Sequence, residues 1–465
     1  VWLLLYGSYA LGRPPLPDGP ATIHAEIARE MLTRGDWATP YVNGFPVASS
    51  SRPLDWGIAA SYKIFGVSDW AARLPIALCV LLLALTVYFF GRTLFGWNAA
   101  GLYAALIVLV WPGTFLATRN LSEAPIVCLV SAIAAWALWQ LLVVRQLELW
   151  GAVAVSAVAV LLIVVTCSWP GMVLPLSIVL LCWLVRLFAP TGERPRWLLL
   201  SWTAASFVLA GFLTDSHVQP RAALLWLAVA APLGLLIGGW LANNEAFSNP
   251  APARRIAQYL FAAGLVVAAI AVFFAIHGPV GFSVFKTSVA VTAGASRIPL
   301  LIFALALIVG TSGNLIFRLR KHKARVANCF LAGALGGIVV AMQAGMVIAS
   351  PLSSSQILAE AIRPELNPTD IVVIDGKYAE ASSLAFYLER PITLAVPAPS
   401  NAASFLPITP RGTTVLSQVW SGPARVFLWT RVERPLPVPG PSFIIATSGG
   451  KEILSNQPNA GGASF

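Results

Sequence analysis

The sequence predicts an all-α polytopic membrane domain of about eleven transmembrane helices, followed by a small C-terminal α/β domain outside the membrane. Three observations predict it. Hydrophobic residues make up 58% of the 465 and charged residues 11%, where a soluble domain carries roughly 25% charged residues. Apolar runs of about 20 residues, the length that crosses a bilayer, recur as far as residue 350. From Pro351 onward the apolar runs shorten to strand length. An ordinary soluble enzyme, a disordered chain and a fibrous protein are excluded, because none could cover this much apolar surface with so little charge.

The elements follow in order. The chain begins at Val1, and its first apolar run, residues 1–11, is too short to span. A first helix trimmed at its start explains this, as does a cleaved segment. A polar stretch occupies residues 13–69. Within it, Ile23, Ile27 and Met31 are spaced by four, with Glu26, Arg29 and Glu30 beside them. That pattern predicts an amphipathic helix at the membrane interface over residues 22–34, and a second short one over 56–65. Trp37, Trp56 and Trp70 suit the headgroup region. Spans are expected at about 70–91, 97–115, 124–143, 149–166, 172–189, 197–214, 222–242, 256–276, 298–317 and 326–350. In the tail, residues 355–363 and 382–388 predict helices. Ile371-Val-Val-Ile-Asp375, Arg425-Val-Phe-Leu-Trp429 and Phe443-Ile-Ile-Ala446 predict strands. The domains are therefore 1–350 and 351–465.

The net charge of +11 raises the question of nucleic acid. The basic residues instead alternate between connections. Arg92, Arg145, Arg186, Arg194, Arg196, Arg254, Arg255 and the run Arg318, Arg320, Lys321, Lys323, Arg325 fall on one side. Arg119, Arg221, Lys286 and Arg297 fall on the other. Basic residues collect in cytoplasmic loops, so the N-terminus is expected in the cytoplasm, with the 13–69 loop and the tail outside. No nucleic-acid partner is expected; membrane lipids are. Cys79, Cys128, Cys167, Cys182 and Cys329 lie in or beside apolar runs, without a paired framework. His24, His217, His277 and His322 show no metal-ligand spacing, so no metal site is expected.

Ionisable residues at a membrane are functional candidates. Asp18 follows the first apolar run, and Glu123 opens the fourth span in Asn120-Leu-Ser-Glu-Ala-Pro125. Arg52 and Arg119 lie on the same side. Two carboxylates with two guanidinium groups suit a phosphate-bearing lipid, because a carboxylate can take a proton and guanidinium pairs well with phosphate. Simpler readings stand beside these. Asp18-Gly19 is ordinary turn chemistry, Glu123 suits a helix dipole, and Arg119 suits a snorkelling side chain at a span edge.

Ala25-Glu-Ile-Ala-Arg-Glu-Met-Leu-Thr-Arg-Gly-Asp-Trp37, Tyr41-Val-Asn-Gly44, Tyr62-Lys-Ile-Phe-Gly66 and Ala71-Ala-Arg-Leu-Pro75 follow in that order. They resemble the first periplasmic loop and second helix of the bacterial lipid A aminoarabinose transferase and protein O-mannosyltransferase superfamily, whose members have the GT-C fold. Phe386-Tyr-Leu-Glu-Arg-Pro391 and Ala446-Thr-Ser-Gly-Gly-Lys451 resemble the C-terminal domain of its bacterial members. The resemblance implies a GT-C-like membrane domain in the bacterial inner membrane with a periplasmic tail. It implies transfer of a sugar from a polyprenyl-phosphate carrier to a lipid or protein acceptor. Asp18 matches the family's proposed base. Ser122-Glu123-Ala124-Pro125 matches a Thr-Asp-Met-Pro-like motif with Glu in place of Asp.

Three departures are visible. Gly19, Pro20 and Ala21 stand where the family has a further acid. Ser49-Ser-Ser-Arg-Pro53 stands for a Glu-Lys-Pro-Pro-like motif. Trp169 stands for a Lys in a Lys-Gly-Pro turn. Two functions follow: a transferase using Asp18 and Glu123, with Arg52 and Arg119 on the lipid phosphate, or a catalytically degenerate homologue. The degenerate form would be a structural subunit among other membrane proteins, for example in an energy-converting complex. A transporter fits the span count but has no substrate signature and no inverted repeat.

Overall fold

The computed structural model describes residues 1–47, 51–145, 148–166, 169–212, 227–246, 250–277, 297–319, 324–395, 413–414, 416–433 and 436–458. Ser49, Ser50, Cys167, His217, Arg221, Lys286, Arg320, Lys321, His322 and Lys323 lie outside the described residues. So do residues 213–226, which hold the end of one expected span and the start of the next.

The first helices are α1 (Trp2–Tyr6), α2 (Ser8–Leu11) and α3 (Pro20–Arg34), then the hairpin β1 (Tyr41–Val42) and β2 (Phe45–Pro46). Next come α4 (Arg52–Phe65), α5 (Asp69–Phe95), α6 (Asn98–Leu109), α7 (Pro112–Arg119) and α8 (Ala124–Leu138), the last extended by a π-helical turn, Trp139–Val144. They are followed by α9 (Leu149–Thr166), α10 (Trp169–Phe188), α11 (Arg194–Phe212), α12 (Ala230–Ala246), α13 (Pro250–His277), α14 (Arg297–Leu319) and α15 (Ala324–Ile348). The tail carries α16 (Ser350–Ser353), α17 (Gln356–Ile362), β3 (Ile371–Asp375), α18 (Ser382–Leu388), β4 (Thr393–Ala395), β5 (Thr413–Thr414), α19 (Leu416–Trp420), β6 (Val426–Arg431), β7 (Phe443–Ser448) and β8 (Lys451–Ser455).

Among the described residues, five helices are long and apolar enough to cross a membrane: Asp69–Phe95, Ala124–Val144, Arg254–His277, Arg297–Leu319 and Ala324–Ile348. The pair α6–α7, bent by 44°, makes a sixth if taken as one span. Shorter apolar helices cover Leu149–Leu161, Met172–Phe188 and Ala230–Asn243. The eleven expected spans include these shorter helices, and the one expected at 222–242 starts in residues outside the described ones. The α6–α7 bend comes from Pro112, which forces Trp111 before it into extended backbone at φ −68°, ψ 128°.

The chain forms two compact units. Among the described residues, one comprises 1–11, 73–277 and 297–345, and the other comprises 12–72 and 346–458. The first is the helical body. Its helices approach closely where side chains vanish: a Cβ on Gly101 of α6 would sit 2.3 Å from the Tyr88 carbonyl oxygen of α5. Small residues at such crossings let dispersion contacts hold helices together where lipid offers no hydrophobic drive.

The second unit joins the polar stretch after the first apolar run to the tail. Its sheet has the order β5-β4-β3-β6-β8-β7. β5, β4, β3 and β6 run parallel, while β8 is antiparallel to both β6 and β7. The central strands β3 and β6 read as continuous apolar runs because both faces are covered. Val373, Leu428, Val426, Trp420 and Leu454 form the core. The helix α3 starts two residues before the expected one and buries more than its apolar stripe. Glu26 and Glu30 are buried with Ile27 and Met31. The Asn43 side chain completes the join: its Nδ2 donates to the Ile392 carbonyl and its Oδ1 accepts the Ile392 N–H, both at 2.7 Å.

Candidate functional site

Asp18 lies in the second unit, in the turn that precedes α3. Its backbone N–H donates to Ser353 O at 2.7 Å. Gly19 follows at φ 98°, a conformation that L side chains rarely adopt, and its N–H donates to Ser382 Oγ at 2.9 Å. This path presents the Asp18 carboxylate to the tail. Oδ1 accepts the Ser383 backbone N–H at 2.9 Å and the Ser383 hydroxyl. Oδ2 accepts Lys451 Nζ at 2.8 Å and Ser355 Oγ at 3.3 Å. Four donors, one an ammonium, fill the four lone-pair positions that a carboxylate offers. The Asp18 and Lys451 side chains are 11% and 10% exposed, so the pair is largely shielded from water. Asp18 can act as a base only when one of these donors leaves.

Arg52 belongs to the same unit. It is the first residue of α4, exposed, and makes no hydrogen bond or ion pair among the described residues. One turn further, Asp55 is fully buried and accepts or shares a proton with His24 at 2.6 Å, Nδ1 to Oδ1. This buried pair, joining α3 to α4, escaped the sequence reading. The two residues stand 31 apart in no recognisable spacing, and only the fold shows them together.

Arg119 and Glu123 belong to the first unit. The first apolar run breaks at Gly7, between α1 and α2, and ends at Leu11, so backbone carbonyls near the break and at the end of α2 lack intrahelical partners and are met by side chains. Arg119 Nη2 donates to Leu5 O at 3.0 Å, Arg73 Nη1 to Leu11 O at 2.7 Å, and Gln343 Nε2 to Ala10 O at 3.3 Å. Arg119 Nε donates to Gln343 Oε1 at 3.0 Å, and Arg73 Nε donates to Arg119 O at 3.2 Å. The second break, at Val110–Trp111, is treated alike. Tyr6 Oη donates to Leu109 O at 3.1 Å, and Thr114 Oγ1 lies 2.8 Å from Val108 O. Arg119 is fully buried and stacks on Phe115 at 4.5 Å. Its Nη1 has no partner among the described residues.

Glu123 caps α8. Its carbonyl accepts the Ile126 and Val127 N–H groups at 2.9 and 3.2 Å, and Ser122 Oγ accepts the Ala124 N–H at 3.2 Å. Just before it, the buried Leu121 holds φ 46°, in the left-handed region, while Ser122 N–H reaches back to Ala117 O at 3.0 Å. That is a Schellman-type helix end, usually given to glycine, so the turn carrying Glu123 is strained. Among the described residues, no group of three or more His, Cys, Asp or Glu could hold a metal ion.

Residues 53–183 match the family model of the dolichyl-phosphate-mannose-protein mannosyltransferases. Undecaprenyl phosphate-alpha-4-amino-4-deoxy-L-arabinose arabinosyl transferase 2 of Sodalis glossinidius (strain morsitans) is 31% identical over 124 residues, 26% of this chain and 22% of that protein. The transferase of the same name from Yersinia enterocolitica is 34% identical over 109 residues, 23% of this chain and 19% of that one. The chain thus matches about a fifth of the length of these curated relatives. Crystal structures of ArnT from Cupriavidus metallidurans align almost end to end. The apo state gives a TM-score of 0.72 at 17% identity, covering 98% of each chain. The form bound to undecaprenyl phosphate gives 0.74 at 16% identity, covering 100% of this chain and 98% of that one. Over its whole length the chain shares the fold of ArnT, and over residues 53–183 it is similar in sequence to the dolichyl-phosphate-mannose-protein mannosyltransferase family.

Proposed function

We propose that the chain is a membrane glycosyltransferase that moves a sugar from a polyprenyl-phosphate carrier to a lipid or protein acceptor. The observation that carries this is the end-to-end fold match to a protein crystallised with undecaprenyl phosphate. In the proposed reaction a carboxylate takes the proton of the acceptor hydroxyl. The hydroxyl oxygen attacks the anomeric carbon, and the carrier phosphate leaves with inversion. Asp18 is the proposed base and Glu123 assists or orients. The orphaned Arg119 Nη1 suits a phosphate oxygen, which would satisfy its free N–H groups as charge develops on the leaving group. Arg52, exposed and unpaired among the described residues, is the second proposed phosphate ligand. The eleven-span arrangement is part of the same proposal, with the protein in the bacterial inner membrane, its N-terminus cytoplasmic and the second unit periplasmic. The 13–69 stretch and the tail were both expected outside, and their union in one compact unit supports that.

A specific observation favours a second reading. Asp18 is surrounded by four donors and Arg119 mainly holds backbone carbonyls, so two of the four proposed site residues do structural work. A homologue that kept the scaffold and lost the reaction, serving as an accessory subunit, would look this way. The test is transfer from an undecaprenyl-phosphate-linked sugar to cell-envelope acceptors, with Asp18→Asn and Glu123→Gln beside the parent. Activity that falls at least 100-fold in either variant, assayed on folded protein well below its melting temperature, supports the enzyme. A parent with no transfer that co-purifies at fixed stoichiometry with other membrane proteins supports the accessory role.

A further inference from the structure

In the first unit, α10 and α11 form a cavity of about 330 Å³ beside their connection, residues 189–193. Leu181, Leu184, Val185 and Phe188 line it from α10, and Trp197 and Ser201 from α11; Ala189 and Pro190 of the connection complete it. The Ser201 hydroxyl donates to Trp197 O of its own helix at 2.7 Å, so the lining is apolar in effect. The cavity is open, with Phe188 and Trp197 79% and 55% exposed. Apolar surface of this kind gains by being covered with an apolar chain.

The connection beside the cavity is built around cations. The Ala189 N–H donates to Val185 O at 3.1 Å and the Glu193 N–H to Pro190 O at 3.0 Å, which turns the chain tightly. Arg194 then caps α10. Its Nε donates to Ala189 O and its Nη2 to Arg186 O, both at 3.3 Å. The guanidinium thus lies against the backbone of Ala189, a residue of the cavity wall. Arg194 is half-buried, and its Nη1 has no hydrogen bond among the described residues and is not enclosed. Arg196 makes only a loose pair with Glu193, at 3.8 Å with both side chains more than half exposed. Arg186 stacks on Trp183 at 5.5 Å. From residue 183 to 200 there are three arginines and one acid, an excess of two positive charges.

Capping accounts for two nitrogens of Arg194 and for neither its Nη1 nor Arg196. A small anion would match these charges and leave the cavity uncovered. An acyl chain alone would do the reverse. The contiguity of the two calls for a molecule that is apolar at one end and anionic at the other. A headgroup with its own ammonium would bring a further cation to a basic rim, so the anionic end carries no ammonium. From Leu181 to Phe188 the helix rises roughly 10 Å, which fits the first part of an acyl chain.

We infer that this cavity holds one anionic phospholipid, its phosphate diester on Arg194, with Arg196 adding to the field, and one acyl chain in the cavity. The inference rests on α10 and α11 crossing the membrane, as in the eleven-span arrangement, and not on sugar transfer.

The test is native mass spectrometry of the full chain in detergent, titrated with phosphatidylglycerol and phosphatidylethanolamine of identical acyl chains. Phosphatidylglycerol should bind at least about fivefold more tightly, the effect of one basic residue on an anionic lipid. Arg194→Gln and Arg196→Gln should each weaken phosphatidylglycerol about fivefold and leave phosphatidylethanolamine unchanged. Arg92→Gln, on α5, should change neither. Leu184→Trp, which fills the cavity, should weaken both lipids. If Arg194→Gln fails to fold, Arg196→Gln, Leu184→Trp and the two-lipid comparison on the parent decide. Equal affinity for the two lipids, an Arg92→Gln effect as large as those at 194 and 196, or unaltered binding in Leu184→Trp overturns the proposal. So does a membrane protein that co-purifies at fixed stoichiometry and is released by Leu184→Trp, since the cavity would then be a protein interface. Protease access to an epitope inserted after Thr191, in sealed membranes, reads the span arrangement separately. Cleavage from the face opposite to residues 13–69 supports it. Cleavage from the same face overturns the arrangement and the proposal together, whereas lost lipid selectivity with the expected cleavage overturns the proposal alone.

Discussion

Lys451 Nζ lies 2.8 Å from Asp18 Oδ2, across 433 positions of sequence. The contact closes the second unit, joining the turn before α3 to the start of β8. Lys451 is the first residue of β8 and only 8% exposed. A buried ammonium at a strand end is stable there because a carboxylate meets it.

Lys451→Met should therefore destabilise the second unit by about 3 kcal/mol, the usual consequence of leaving one charge of a buried pair unmatched. Asp18→Asn should be milder, because an amide oxygen still accepts from Ser383. Melting of the purified chain checks both. Equal, negligible shifts would show that the pair is dispensable.

Arg119→Met should free the Leu5 carbonyl and lose the bond to Gln343. Each buried group left without a partner costs about 1–3 kcal/mol. The loss should be visible as a lower melting temperature. Arg119→Lys should not rescue it, since one ammonium cannot reach Leu5 O and Gln343 Oε1 with a fork's geometry. Full rescue by Lys would show that charge alone is required there.

The His24–Asp55 pair should behave as a coupled unit. His24→Ala and Asp55→Ala should each destabilise α3–α4 packing, and the double variant should be less harmful than their sum by about 0.5–3 kcal/mol. Additive effects in a thermal double-mutant cycle would mean that the 2.6 Å contact carries no interaction of its own.

Glu26 gives a pH signature. Its carboxyl titrates above the ordinary value of 4.5 because burial disfavours the charged form. A raised folded pKa contributes stability that is complete below the unfolded value and lost as pH rises through the folded one. Glu26→Gln lacks this dependence. The stability difference should thus shift in favour of the variant as pH rises from about 4 to about 8. A difference that is flat across melts in that range would contradict the assignment.

The sequence made some elements legible and hid others for identifiable reasons. Four-residue spacing of Ile23, Ile27 and Met31 marked α3, and the run Ile371–Asp375 marked β3. The helix α4 begins at Arg52, four residues before the expected start, because Pro53 is tolerated in a first helical turn. The hairpin β1–β2 went unremarked although Asn43-Gly44, at φ 53° and 83°, is a strong two-residue turn signal. β8 was missed because Lys451-Glu452 opens it, and a charged pair reads as loop until the partner of Lys451 is known. The bend between α6 and α7 was not legible, because length and hydropathy do not register the break before Pro112. Of the candidate site, residue type and position beside the apolar runs pointed to Asp18, Glu123, Arg52 and Arg119, and the family resemblance pointed to the two acids. Their environments were illegible, since Ser355, Ser383 and Lys451 reach Asp18 from more than 330 residues away.

That separation has a consequence for synthesis. A ribosome adds about 5–20 residues per second, so Asp18 emerges on the order of half a minute before Lys451. During that interval α3 and the Asn43 turn have no sheet to join, and Glu26 and Glu30 have no cover. A polar segment made long before the tail is among the last to reach its final form, and it depends on the tail for that. A nascent chain stalled or cut before β3 should leave α3 open to proteases even when every apolar helix is already complete.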